Sequence, residues 1–285
     1  MRDIMSNGIL YVVATPIGNM KDITLRAIEI LQSADIIAAE DTRHSLVLLR
    51  HYGIKTKAIS LHQHNENQRA TEIISCLQDG RDVALISDAG TPVISDPGEL
   101  LIKKVIASGV DVVPIPGACA LITALSASGV VCDNFLFKGF LPAKGVKRLA
   151  VIEEISATKP AVVLYESVHR IESLLVALSK CLGEHRQVVV ARELTKRYET
   201  FLRGTASEVL ASFYDNSAAC RGEFVVIIEQ DDSKQASFST QQHKDLLSIC
   251  LQECSPKVAS KLVATMTGES KNKLYKLALT LQDKN

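Results

Sequence analysis

Five short apolar runs alternate with helical patterns across the first 117 residues, and that alternation leaves few folds open. The runs at 9–14, 35–39, 58–61, 83–87 and 110–115 are too short for helices and read as buried strands. Helical spacing fills 22–33, 68–78 and 99–108; in the first, Ile23, Ala27, Ile30 and Leu31 share one face. Strands alternating with helices predict βαβ units and a parallel sheet covered on both faces.

The pattern then changes. A helical stretch at 118–126 precedes strand-like segments at 135–141, 161–165, 187–192 and 223–229, with helices expected near 145–155, 168–182 and 205–214. The expected division is an α/β domain at 1–117, a second α/β domain at 118–231, a polar linker at 232–242 and a helical tail at 243–285. In the tail, Leu246, Leu247, Ile249, Cys250 and Leu251 form one apolar face; Val258, Leu262 and Met266, then Leu274, Leu277 and Leu281, form others. Ser255-Pro256 marks a helix start.

Charge separates the tail from the body. The chain holds 32 basic and 32 acidic side chains, yet residues 233–285 carry 8 Lys against 4 acids, leaving the rest near −4. No field draws the whole molecule to nucleic acid, so any polyanion contact is local. No apolar run approaches the ~20 residues of a membrane span, the N-terminus lacks the pattern of a signal peptide, and seven scattered cysteines form no CxxC pair. These features predict a cytoplasmic protein with reduced thiols.

The chemistry is expected where strands end. Residues 87–98, SDAGTPVISDPG, put two Gly, two Pro and two Asp directly after a strand. Such a loop lies at the carboxyl edge of a parallel sheet, where open α/β folds bind ligands. Two further loops, 15–19 (TPIGN) and 114–117 (PIPG), end strands of the same half, and the three predict one composite pocket. No GxGxxG or GxxxxGK[ST] motif is present, and Pro16, Pro92, Pro97 and Pro116 remove N–H donors that phosphates would need. A ligand held by carbonyls and shape, with little negative charge, fits better. His62 and His64 lack a completing carboxylate motif, so no metal is expected. Cys250 and Cys254 read as core residues, and Lys144, Lys147 and Arg148 as a solvated helix start or a phosphate patch.

ATPIGN (14–19), AEDTR (39–43), SDAGTPVISDPG (87–98), PGACALITALSASG (116–129), KGFLP (138–142), LYESVHR (164–170), ARELTKRYET (191–200) and RGEFVV (221–226) occur in that order. Together they resemble the tetrapyrrole (corrin/porphyrin) methylase superfamily, the class III S-adenosylmethionine methyltransferases. Within it they are similar to the branch that methylates a ribose 2′-oxygen of a decoding-centre cytidine in 16S rRNA. Small-molecule members carry Gly-Pro-Gly-Asp and Gly-Asp-Pro forms where this chain has Thr15-Pro16-Ile17-Gly18-Asn19 and Gly90-Thr91-Pro92, the forms of the RNA branch. After Gly117 the family often has Ser or Thr; Ala118, Cys119 and Ala120 offer no hydroxyl.

The resemblance implies two α/β domains with the cofactor cleft between them, a homodimer, and 16S rRNA of the small ribosomal subunit as partner. It implies that Ala89, Gly90, Thr91 and Pro92 line the methionine end of S-adenosylmethionine, with Pro116, Gly117, Cys119 and Ala120 beside them. Tyr165, Glu166, Leu194, Glu223 and Phe224 approach the adenosine, and Pro16 closes the cleft. For the acceptor hydroxyl, a poor nucleophile, Asp41, Glu166 and Glu193 are the candidate bases and Arg43 a candidate cation. Arg43, His169, Arg170 and Arg192 are candidate RNA contacts, and so are Lys257, Lys261, Lys271, Lys273 and Lys276 of the tail. Two other functions stay open: methylation of a tetrapyrrole precursor on the same fold, and a non-catalytic RNA-binding assembly factor.

Overall fold

The computed structural model describes residues 7–130, 132–184, 186–215, 222–231 and 240–282. The first sheet is built from β1 (Leu10–Val13), β2 (Ile36–Ala39), β3 (Lys57–Ser60), β4 (Val83–Ile86) and β5 (Val112–Ile115). All pairings are parallel, in the order β3-β2-β4-β1-β5. Its helices are α1 (Leu25–Ser33), α2 (Thr42–His51), α3 (Glu66–Gln78) and α4 (Glu99–Ala107).

Both faces of this sheet are covered, which is why its strands read as unbroken apolar runs. Leu10, Ala38, Val83 and Leu85 pack with Ile73 and Leu77 of α3 and Leu101 and Val105 of α4. Val13, Ile37, Ala39, Ala84 and Ile86 pack with Ala27 and Leu31 of α1 and Leu49 of α2. Neighbouring strands β1 and β4 therefore send their helices to opposite faces. This is a switch point, and it opens a crevice at the carboxyl ends of these two strands.

The second sheet contains β6 (Phe135–Phe140), β7 (Ala161–Ser167), β8 (Gln187–Arg192), β9 (Thr200–Thr205) and β10 (Glu223–Ile228), ordered β6-β7-β10-β8-β9. Only β6–β7 is parallel; the other pairings are antiparallel. Residues alternate between faces, apart from an irregularity in β6 between Phe137 and Gly139. Val162, Leu164, Val188, Val190, Val226 and Ile228 pack with α6 (Val146–Ala157), α7 (Ile171–Cys181) and α8 (Ala206–Asp215). Val163, Val189, Ala191, Val225 and Ile227 pack with Leu121 and Ala124 of α5 (Ala120–Ser128). Ile17, from the loop after β1, inserts into that second cluster and ties the two sheets together.

The tail holds α9 (Thr240–Glu253), α10 (Pro256–Thr267) and α11 (Lys271–Gln282). They enclose a small core of Leu247, Ala259, Val263, Leu274 and Ala278. The linker expected at 232–242 falls mostly on 232–239, outside the described residues, and 240–242 already belong to α9. Val258, Leu262 and Met266, expected to form an apolar inward face of α10, are instead exposed; the helix turns Ala259 and Val263 inward. No helix among the described residues is long and apolar enough to cross a membrane.

Two elements lie where no regular structure is expected from the sequence. Helix α2 begins inside the charged AEDTR motif, with Asp41 as N-cap accepting from Arg43 N. Strand β9, TFLRGT, is a half-exposed edge strand with little apolar signal. Helix α7 starts at Ile171, later than expected, because Ser167 to Arg170 form a turn closed by Arg170 N on Ser167 O.

Candidate functional site

Three loops meet at the crevice. Thr15 and Gly90 exchange two backbone hydrogen bonds of 2.9 and 3.0 Å, and Thr91 Oγ1 donates to Ala118 O at 3.1 Å. Gly90 has φ +83°, and a Cβ there would meet Ile17 Cγ2 at 3.2 Å. Gly117 lies so close to Ala14 that a Cβ would stand 2.9 Å from that residue's own. The loop after β4 also holds Val93 (φ 75°) and Ser95 (φ 71°) in the left-handed region, where non-glycine residues are uncommon. Residues past β8 do the same at Glu193 (φ 50°) and Thr195 (φ 65°), and Asn19 N donates to Thr195 Oγ1 at 3.1 Å across the crevice.

Between the two sheets lies a cavity of about 420 Å³. Ala89, Gly90, Thr91, Cys119 and Ala120 line it from the first-sheet loops and α5; Tyr165, Glu166, Leu194, Glu223 and Phe224 line it from the second sheet. Pro16 lines a second cavity of about 300 Å³ next to it. Pro92, Pro116 and Gly117 line neither; they belong to the loop backbones that shape the walls.

The electrostatics of the larger cavity are one-sided. Glu40, Asp88, Asp96, Glu166 and Glu223 all line it, and among the described residues no Lys, Arg or His does. Burial pushes the Asp96 carboxyl up to about 6, with a Ser87 hydrogen bond opposing and the charges of Glu40 and Asp88 adding. Burial and Asp88 also raise the Glu40 carboxyl. Glu166 is balanced by Arg148 and Arg170, and Glu223 by Lys196; Glu40, Asp88 and Asp96 remain to repel phosphate and favour a ligand of net positive charge. Burial keeps the Tyr165 phenol protonated; its oxygen accepts from Leu121 N at 3.1 Å, and its ring meets Phe137 and Phe140 edge-on.

Several of the other candidate residues, Asp41, Arg43, Glu166, Arg170 and Glu193, are engaged within the protein. Arg43 forms a two-pronged pair with Asp41 (Nε–Oδ1 3.1 Å, Nη2–Oδ2 2.7 Å), and those hydrogen bonds hold the Asp41 carboxyl down at about 2. Glu166 is buried; Arg148 Nη2 donates to it at 3.1 Å, Ser167 N at 2.9 Å, and Arg170 Nε lies 3.2 Å away. Arg170 further donates to Leu141 O and Pro142 O, so its fork is spent inside the fold. Arg148 is therefore buried structure, not part of a solvated or phosphate-binding helix start. Glu193 accepts from Lys196 Nζ at 2.9 Å and Glu223 N at 3.2 Å; burial raises its pKa, but these bonds outweigh it and the net shift is downward. Arg192 ends β8, and His169 is exposed in the turn before α7. The five tail lysines are exposed, Lys273 pairing with Glu269 at 2.7 Å.

Glu40, Asp88 and Asp96 were not singled out by the sequence, although each lies in a quoted motif. Their residue types were visible; that all three side chains turn into one cavity depends on the backbone of two loops. His44 and Ser45 of the second cavity were missed with α2 itself.

Comparison with known proteins gives a consistent picture. A family model described as Tetrapyrrole (Corrin/Porphyrin) Methylases matches residues 9–210, and one described as RsmI C-terminal HTH domain matches 239–282. Ribosomal RNA small subunit methyltransferase I of Pasteurella multocida (strain Pm70) is 46% identical over 272 residues, covering 95% of this chain and 97% of its own. The protein of the same name from Escherichia coli O157:H7 is 45% identical, covering 97% and 96%. Among solved structures, a cobalamin biosynthetic enzyme, cobalt precorrin-4 methyltransferase, superimposes with TM-score 0.58 at 15% identity, covering 78% of this chain and 94% of its own. Uroporphyrin-III C-methyltransferase from Thermus thermophilus, complexed with S-adenosyl homocysteine, gives 0.54 at 16% identity, covering 78% and 97%.

Proposed function

The chain belongs to the tetrapyrrole (corrin/porphyrin) methylase family, and from that premise we propose that it methylates the ribose 2′-oxygen of a decoding-centre cytidine in 16S rRNA. The cofactor is S-adenosylmethionine. The observation that carries the reading is the acid-lined cavity between the sheets, in a chain that matches small-subunit rRNA methyltransferases along nearly its whole length. S-adenosylmethionine bears a sulfonium and an ammonium against one carboxylate, so its net positive charge suits a wall where Glu40, Asp88 and Asp96 stand without an ion-pair partner among the described residues.

When bound, that cofactor supplies an electrophilic methyl group. The protein's part is first to position: holding an acceptor oxygen in line removes on the order of 7–11 kcal/mol of barrier in favourable cases. Ala89 to Thr91, Cys119 and Ala120 hold one end of the cavity; Tyr165, Leu194 and Phe224 hold the other. Asp41, Glu166 and Glu193 are committed to cations. Asp88 lines both cavities and, among the described residues, pairs with no cation, so it takes the proton of an acceptor arriving from the second one. Lys196, whose ammonium is kept charged by Glu193 and Glu223 against the effect of burial, stands on the second cavity's wall and stabilises the developing alkoxide. Arg43, with its side chain 89% exposed, and the tail lysines meet RNA phosphates.

The test uses purified protein, S-adenosylmethionine and small ribosomal subunits from a strain lacking this modification. A 2′-O-methyl blocks alkaline cleavage at its own nucleotide, so one resistant position should appear in 16S rRNA. Methyl transfer to a tetrapyrrole precursor, with none to RNA, would overturn the reading.

A further inference from the structure

The second cavity carries a feature that the cofactor does not use. Ser45 is 3% exposed, lines this cavity, and its Oγ is buried with no hydrogen-bond partner among the described residues. Natural proteins rarely leave a buried hydroxyl unsatisfied, because its lost hydration goes uncompensated; a ligand that supplies the missing bond recovers that loss. The orphan is held in place by helix α2, whose Ser45 N donates to Asp41 O at 3.0 Å.

The rest of the wall has a matching character. Ile17, Met20, Leu48 and Ile86 give apolar walls, and polar groups stand among them, the buried Ser45 as well as Asp88 and Lys196. A flat ring with apolar faces and a polar edge uses both; a phosphate or a sugar alone leaves the apolar walls without a partner. The cavity also shares Ile17, Asp88, Ala89 and Glu223 with the larger one, so a ligand seated in it has one end at the shared wall.

We infer that this second cavity receives the acceptor nucleoside, with its base unstacked from the RNA and its polar edge bonded to Ser45 Oγ, while the ribose lies against the shared wall at Asp88. The inference rests on the ribose-methylation reading and deepens it: the protein withdraws a single nucleoside from the RNA instead of meeting the ribose on the surface. Enzymes whose target is buried in a stack commonly extrude the nucleotide into a pocket. His44, at the N-terminal turn of α2 and on the same wall, stands next to Ser45 as a second group able to bond the base edge.

Three variants test this. Ser45→Ala removes only the hydroxyl. Ser45→Leu fills the slot. Val47→Trp blocks its wall from a position that is 61% exposed, where a larger side chain leaves folding intact. Each is assayed for S-adenosylmethionine affinity by calorimetry, for melting temperature, and for kcat/KM on unmethylated small ribosomal subunits. Expected are unchanged cofactor affinity in all three, a loss of about ten-fold in kcat/KM for Ser45→Ala, the effect of one hydrogen bond, and losses of about a hundred-fold or more for the two blocking variants. Wild-type kcat/KM in a folded Val47→Trp would remove the nucleoside from this cavity. Cofactor affinity falling in step with turnover would reassign the cavity to the cofactor. If the wild-type protein itself leaves subunits unmethylated, the ribose-methylation reading fails and this inference fails with it; an active wild type with unaffected variants removes the slot alone.

Discussion

Arg148 Nη2 lies 3.1 Å from Glu166 Oε2, with the Arg148 side chain 8% exposed and that of Glu166 0%. A buried pair of this kind costs heavily when one partner goes, because the other charge remains without compensation. Arg148→Met is expected to destabilise the protein by about 3 kcal/mol, the lower end of the usual range of about 3–5, since Arg170 and Ser167 N still hold Glu166. Urea unfolding measures it. Because Glu166 lines the larger cavity, proposed to hold the cofactor, calorimetry on the same variant should also show weaker S-adenosylmethionine binding. A loss under 1 kcal/mol would mean that the two groups are not buried together in solution.

Gly90 takes a left-handed backbone and faces Ile17 at close range. Gly90→Ala is expected to cost about 1–2 kcal/mol from the backbone alone, and to lower cofactor affinity by shifting Ile17, which lines both cavities. Gly90→Val, with its branched side chain, should abolish cofactor binding. Thermal melting and calorimetry separate the two effects; unaltered affinity in both variants would take this loop out of the cofactor site.

Asp96, which lines the larger cavity, is expected to make cofactor binding depend on pH. Its folded pKa of about 6 lies above its ordinary 3.8, so its contribution to stability is fully present below about pH 4 and is lost as pH rises through 6. Cofactor binding runs the other way. A cationic ligand prefers the ionised carboxyl, so S-adenosylmethionine affinity should rise as pH goes from 5 to 7, by at most about ten-fold per unit for one proton. Calorimetry in buffers of different ionisation heat should detect the proton released near pH 6. Asp96→Asn should bind more weakly and with a flat profile; a wild-type profile that is already flat would refute the assignment.

The tail encloses its own core of Leu247, Ala259, Val263, Leu274 and Ala278. Ending the chain at Asp231 should therefore leave the melting temperature and cofactor affinity of the remainder nearly unchanged. RNA or subunit binding should weaken, and the salt slope should fall by about 0.7 for each lost phosphate contact on single strands. Equal salt slopes with and without the tail would mean that Lys257, Lys261, Lys271, Lys273 and Lys276 meet no phosphate.

The central strands β1, β4, β7, β8 and β10 were legible because they are apolar runs covered by packing. That signal fails at the edges. Strand β9 presents Arg203 and Gly204 to its surroundings and so lacks the run. Helix α2 reads as a charged motif because its N-cap is Asp41 and its first turn holds Arg43 and His44. In the tail, the spacing of Val258, Leu262 and Met266 is as helical as that of Ala259 and Val263, so periodicity alone could not say which stripe faces inward. The loops that line the cavity could be found as Gly/Pro clusters after strands. Which carboxylates are free and which are bound to arginine could not, since Glu166 meets Arg148 across 18 positions of sequence.

Val93, at φ 75°, is a β-branched side chain in a backbone region suited to glycine. Such a conformation costs of order 1–3 kcal/mol and persists only where the surroundings dictate it. The loop after β4 is therefore held under tension before any ligand arrives, and the work of shaping it is done during folding instead of at each encounter. Val93→Gly would relax that strain but also free the unfolded chain and the loop itself, so the ordering now completed once, on folding, would have to be repeated at every binding event; the strained valine keeps the wall ready before its ligand comes.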